Sequence, residues 1–190
     1  MKRTNLYLAL ATIAFSTPSW AADLDLEFVA TINEPTCDME ISSATGGTLS
    51  GSVAGGYTLV IPDIELNKIQ TADGAAEAKF RLMPKNCQSI TGISTTITTT
   101  ETVHAASNLI VPSDTSTGKT KNIGMGFKRT STTGDTYIKP NDSTSKLVWD
   151  TTERTGGIPM TVALRATTAT TGDLRVGAFS AKATFNFSYE

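Results

Sequence analysis

The segment GAFSAKATFNFSYE, residues 177–190, decides how the chain is read. Every second residue is apolar: Phe179, Ala181, Ala183, Phe185, Phe187 and Tyr189. Between them stand Ala178, Ser180, Lys182, Thr184, Asn186 and Ser188. A period of two puts alternate side chains on opposite faces of a strand. The pattern therefore predicts a last strand over 177–189, with one apolar face and no turn after it.

The same period recurs upstream. In DLDLEFVATI the apolar set is Leu24, Leu26, Phe28, Ala30 and Ile32. Further strands are predicted at YTLVIP (57–62), AKFRLMP (78–84), ITGISTTITTT (90–100), NIGMGFK (122–128), YIKP (137–140), KLVWD (146–150) and PMTVALRA (159–166). β-Branched residues such as those of 90–100 favour a pleated surface. Turn-rich pieces separate the runs: SATGG, SGSVAGG, SDTSTGK, TSTTGD, PNDSTS, ERTGG and TATTGD. ADGAAEAK (72–79) admits a helical turn, although Gly74 opposes a long helix. Many short strands at this spacing indicate an all-β sandwich. The alternation is too regular for a disordered Ser/Thr stalk.

The first 21 residues have a different design. Lys2 and Arg3 precede the ten-residue apolar run Leu6–Phe15, and Ser19 and Ala21 hold the −3 and −1 positions of a cleavage site. This is the layout of a secretory signal peptide, and the apolar run is half the ~20 residues a spanning helix needs. Residues 1–21 are thus set apart from the fold, and the mature chain is expected to start at Ala22.

Residues 22–190 are of single-domain size. Setting aside Lys2 and Arg3 leaves 14 basic side chains against 18 acidic ones, with no basic cluster, which argues against a nucleic-acid partner. An exported chain with two cysteines favours a Cys37–Cys87 disulfide over free thiols or half of a metal site. Closing a loop of about 50 residues is worth roughly 4 kcal/mol in the chain-entropy account.

No chemistry presents itself. His104, the one histidine, has no nucleophile or orienting acid in any recognisable motif. GTLSG (47–51) is not a nucleophile elbow. GGY and GMG lack a P-loop lysine and a following helix. DSTSKLVWD has no calcium-loop spacing. The acids are scattered rather than paired. No catalytic residue, metal site or cofactor is assigned.

Both terminal segments alternate, and neither has a turn on its outer side. A strand offered to another sheet's open edge gains affinity from the backbone and fit from alternate side chains. Five blocks carry a resemblance at this point: INEPTC (Ile32–Cys37), FRLMPKNC (Phe80–Cys87), NIGMGF (Asn122–Phe127), IPMTVALRA (Ile158–Ala166), and an ending with Gly177 fourteenth from last and Tyr189 penultimate. In order and spacing the chain resembles the structural pilins of the bacterial chaperone–usher pathway, in particular type 1-like fimbrial subunits.

The resemblance implies an incomplete immunoglobulin-like sandwich that lacks its seventh strand and is completed by donor-strand exchange. It divides the chain into a signal peptide (1–21), a donor-strand extension (22–33) and a pilin domain (34–190). Gly177, Phe179, Ala181, Ala183, Phe185, Phe187, Tyr189 and Glu190 would line an acceptor groove and meet a periplasmic chaperone, which would grip the terminal carboxylate. At an outer-membrane usher, the extension of a neighbouring pilin subunit would replace the chaperone strand. Leu24, Leu26, Phe28, Ala30 and Ile32 would be this chain's own donor residues. The family often has glycine where Ala30 stands. The implied function is a structural subunit of a surface fimbria that supports adhesion. The alternative is a minor or tip adaptor, or an adhesive Ig-like subunit that binds a host receptor directly. Two-domain adhesins of the pathway are longer and usually lack a donor strand.

Overall fold

The computed structural model describes residues 24–32, 37–87, 90–168 and 170–190, the first of these segments by its backbone alone. The predicted signal peptide lies outside the described residues. In chain order the strands are β1 (Leu24–Ile32), β2 (Asp38–Thr45), β3 (Thr48–Ser52), β4 (Gly56–Ile61), β5 (Glu77–Lys85), β6 (Ile93–Thr98), β7 (Thr102–His104), β8 (Leu109–Val111), β9 (Ile123–Arg129), β10 (Leu147–Val148), β11 (Ile158–Ala166) and β12 (Thr184–Tyr189). Two short helices, α1 (Leu66–Gln70) and α2 (Glu153–Gly156), and two 3₁₀ turns, Gly74–Ala76 and Thr171–Asp173, complete the set. None of the described helices is long and apolar enough to cross a membrane.

The strands form two six-stranded sheets, ordered β10-β6-β12-β1-β4-β3 and β2-β5-β11-β9-β8-β7. This is an all-β, immunoglobulin-like sandwich. One disulfide, Cys37–Cys87, joins the start of β2 to the end of β5, two strands that already pair antiparallel.

The core fills the space between the sheets. Alternation supplies it: Tyr57, Leu59 and Ile61 from β4, Ile93 and Ile97 from β6, and Phe185 and Phe187 from β12 on one side. Ala78, Phe80 and Leu82 from β5, with Met125 and Phe127 from β9, face them from the other. Three phenylalanines meet edge to face at the centre. Phe185 lies 5.1 Å from Phe127 and 6.0 Å from Phe80, and Phe80 lies 6.3 Å from Phe127. Such edge-on pairs add about 0.5–1.5 kcal/mol each beyond area burial. Trp149 closes one end over Phe187, and its indole N–H donates to the buried Thr95 hydroxyl at 2.8 Å.

The second sheet is covered on its outer face as well. β9 and β11 are buried almost throughout, where simple alternation would leave every other residue wet. Residues 130–139 fold back over them. The ring of Tyr137 lies against Gly126, where an added Cβ would stand 2.6 Å from the ring. Around Tyr137 sits an ionic cluster. Arg165 donates to Asp135 at 2.9 Å and pairs with Glu77, and the Tyr137 hydroxyl donates to Asp135 at 2.7 Å. Lys128 donates to the Gly134 carbonyl at 2.6 Å and stands 3.5 Å from Glu77. Burial pushes the Asp135 carboxyl up, but hydrogen bonds from Arg165 and Tyr137 and the nearby cations outweigh it, and the group lies below its ordinary value.

Several expectations are corrected by this arrangement. YIKP is a loop, because Tyr137 packs on Gly126 instead of joining a ladder. KLVWD contributes a two-residue edge strand. SATGG and SGSVAGG, read as turns, lend residues to β2 and β3, the strand expected at YTLVIP is β4, and β7 and β8 form a small hairpin that was not anticipated. The last strand is shorter than 177–189: the regular ladder covers Thr184–Tyr189, although burial alternates from Phe179 onward. The helical turn expected in 72–79 is the 3₁₀ turn Gly74–Ala76, capped by the Asp73 carboxylate accepting from Ala75 N at 2.8 Å.

A candidate strand-acceptor slot

The last strand has two edges. On one, β12 pairs antiparallel with β6 over Thr184–Tyr189. On the other runs β1, parallel to β12, with Val29 opposite Thr184, Ala30 opposite Phe185, Thr31 opposite Asn186 and Ile32 opposite Phe187. The far side of β1 meets β4 antiparallel, with Leu24 opposite Ile61, Leu26 opposite Leu59 and Phe28 opposite Tyr57. The slot between β12 and β4 is thus one strand wide. Its walls are these two strands, and the phenylalanine cluster of the core lies behind them.

The wall residues on β12 and just before it are the ones the alternation selects. Phe179, Ala181, Ala183, Phe185 and Phe187 are all buried, while Thr184 and Asn186 face outward and Ser188 is exposed. The two alanines keep the wall shallow in the middle. The second wall, with Tyr57, Leu59 and Ile61, was legible as a strand but not as the wall facing the first, since no local signal relates segments more than 120 residues apart.

Each end of the slot is fixed by hydrogen bonds. At the upstream end, residues 175–178 are laced to the loop before β9. Ala178 N donates to the Gly118 carbonyl at 2.8 Å, and Thr120 N to the Ala178 carbonyl at 3.1 Å. The Arg175 side chain donates to the carbonyls of Lys119, Thr115 and Ser116. Gly177, singled out by its distance from the end, has a physical reason to be glycine. A Cβ there would approach the Lys119 carbonyl carbon to 2.7 Å, and its φ of 157° is rare for other residues. Beside it a small, mainly apolar pocket opens, lined by Ile64, Ile69, Ile123, Leu164, Val176 and Phe179.

At the downstream end, the main-chain oxygen of Glu190 accepts from Thr91 N at 2.8 Å and Gly92 N at 3.1 Å, and Glu190 N donates to the Gly92 carbonyl. The Tyr189 hydroxyl donates to the Cys37 carbonyl at 3.4 Å, and burial raises its pKa to about 12. The disulfide therefore sits against the terminus of β12.

The remaining candidates resolve into structure. His104 shares a 2.8 Å hydrogen bond with the Ser107 hydroxyl in the β7–β8 turn. GTLSG lies mainly on β3, paired to β4. The glycines of GMG admit Leu109 and Tyr137 against β9. Among the described residues no group of three or more His, Cys, Asp or Glu could hold a metal. The side chains of the five donor candidates on β1 lie outside the described residues.

Comparison with known proteins follows the same lines. The family profile described as Fimbrial protein matches residues 27–190. An uncharacterized fimbrial-like protein of Escherichia coli (strain K12), YadM, is 39% identical over 184 residues, which covers 95% of this chain and 94% of the relative.

Proposed function

Because the chain belongs to the fimbrial protein family, whose members are structural subunits and not enzymes, we propose that it polymerises by strand donation: residues 22–33 enter the slot of a neighbouring subunit while its own slot receives a neighbour's segment. The single observation that supports this reading most is the place of β1. The one strand between β12 and β4 comes from the N-terminal extension, and the walls it covers include some of the most buried side chains of the sandwich, Phe185 and Leu59 at 0% exposure and Ile61 at 1%.

Physical chemistry makes the exchange favourable. Removing β1 would leave two unpaired edges above an apolar core, the condition that invites aggregation. Burying Leu24, Leu26, Phe28 and Ile32 offers roughly 6–12 kcal/mol before ordering costs. Ala30 is registered opposite Phe185. During export through the periplasm a chaperone strand covers the slot and holds Glu190, and an outer-membrane usher hosts the exchange. Folding energy withheld by the chaperone drives the step without ATP. The fibre so built stands on the cell surface and supports adhesion.

The test is deletion of residues 22–32 in a fimbriated cell. Chaperone binding is expected to persist while incorporation of further subunits stops. Fibres that extend normally through the shortened subunit would sink the donor role.

A further inference from the structure

We infer that the free edge of β3 is a lateral contact between copies of this chain, in which the β3 strands of two molecules pair antiparallel about a two-fold axis at Ser50. Among the described residues the backbone of β3 pairs with β4 alone, in an unbroken register from Thr48 opposite Val60 to Ser52 opposite Gly56. β3 ends its sheet, so its outer side keeps unpaired N–H and C=O groups, a template for another strand. Leu49 is partly buried, and the rest of the strand is exposed. The other three sheet edges are blunted. β10 is two residues long, and its Val148 carbonyl accepts from Arg129. β7 has three residues, with Glu101 immediately before Thr102. β2 breaks register between Ser42 and Thr45 and carries Asp38 and Glu40 at its start. Short length, bulges and charge are the usual guards of an edge, and β3 has none of them.

Charge identifies the occupant as a second copy. Residues 22–190 carry more acidic than basic side chains, so two molecules repel over much of their surface, but residues 41–62 hold no charged side chain. The β3–β4 hairpin is therefore where two copies approach without opposing like charges. Pairing about Ser50 places Leu49 opposite Gly51 and Thr48 opposite Ser52, so the same patch serves both partners. It joins two six-stranded sheets into one. So short an edge makes a weak contact between two free molecules. Along a fibre the contact recurs from subunit to subunit, and multivalency turns it into side-by-side bundling of filaments; this last step alone rests on the strand-donation reading above.

Two measurements test the edge and the fibre separately. The first uses the chain 22–190 with its native disulfide intact. On mild oxidation Ser50→Cys is expected to give dimers linked through position 50, about tenfold more than Ser131→Cys, at an exposed loop position. Equal yields would overturn the inference. The second is electron microscopy of fimbriated cells. Wild-type filaments are expected to align side by side. Ser50→Lys, which charges the edge without touching the core, should leave filament length unchanged and separate them, while Ser131→Lys keeps them bundled. Single filaments in the wild type, bundles that persist in Ser50→Lys, or equal dispersal by Ser131→Lys would overturn the lateral contact. If the wild type builds no filaments at all, strand donation fails, and the cross-linking yield alone decides the β3 edge.

Discussion

The two long strands beside the core, β11 and β1, occupy equivalent central places in their sheets and are held in opposite ways. β11 is registered with β5 from Ile158 to Ala163 and with β9 from Met160 to Ala166, so Met160–Ala163 have ladders on both sides. Its outer face is sealed by Tyr137 and the ionic cluster of Arg165, Lys128, Glu77 and Asp135. β1 is laddered on one side at a time and comes from the chain's end. The comparison sets a half fixed by its own loops beside a half whose central strand is laddered on one side at a time.

The hardest blow to this division falls where the halves meet. Phe185→Ala removes the ring that touches both Phe127 and Phe80. It is expected to cost about 3–5 kcal/mol in chemical denaturation, and to weaken uptake of a 22–33 peptide. A loss below about 1 kcal/mol would show that the two halves are not joined through this cluster. Arg165→Leu is the sharper tool. It leaves Glu77 and Asp135 short of a cation on the far face; breaking a buried pair costs about 3–5 kcal/mol, but Asp135 is 39% exposed, so about 1–3 kcal/mol is expected. Peptide uptake should stay at the wild-type rate, and a change in it would mean that the faces communicate.

The smallest effect is a pH response of the slot's downstream end. The Tyr189 pKa rises from 10.0 to about 12 on folding, because burial favours the neutral phenol. Its contribution is therefore complete below pH 10 and is lost as pH rises toward 12. Melting temperatures of wild type and Tyr189→Phe are expected to fall in parallel up to pH 10, with the wild type dropping faster above it. Parallel curves to pH 12 would exclude Tyr189 from the linkage.

Much of this was legible in the sequence, for reasons that particular residues make clear. Alternation selected the buried face from Phe179 to Phe187 because a half-buried strand writes its faces directly into residue order. Export context paired the cysteines. What stayed hidden depended on contacts between distant segments. YIKP has the composition of a strand, yet Tyr137 is drawn onto Gly126 by a bare backbone that no local pattern advertises. β9 and β11 look like one-sided strands until the loop over residues 130–139 covers them. The second wall of the slot, and the fact that β1 fills its own chain's slot, follow from which strands pair, and alternation fixes faces without naming neighbours.

The β3–β4 hairpin lies on the far edge of the first sheet, with Ser52–Gly56 at its tip and Val53 there 37% exposed. Since β1 and β4 stand between β3 and β12, and the ionic cluster lies on the other sheet, foreign peptides grafted between Ala54 and Gly55 would be presented to solvent without entering either. In a polymer of such subunits the graft would recur once per protomer, giving a dense multivalent display scaffold from a single insertion.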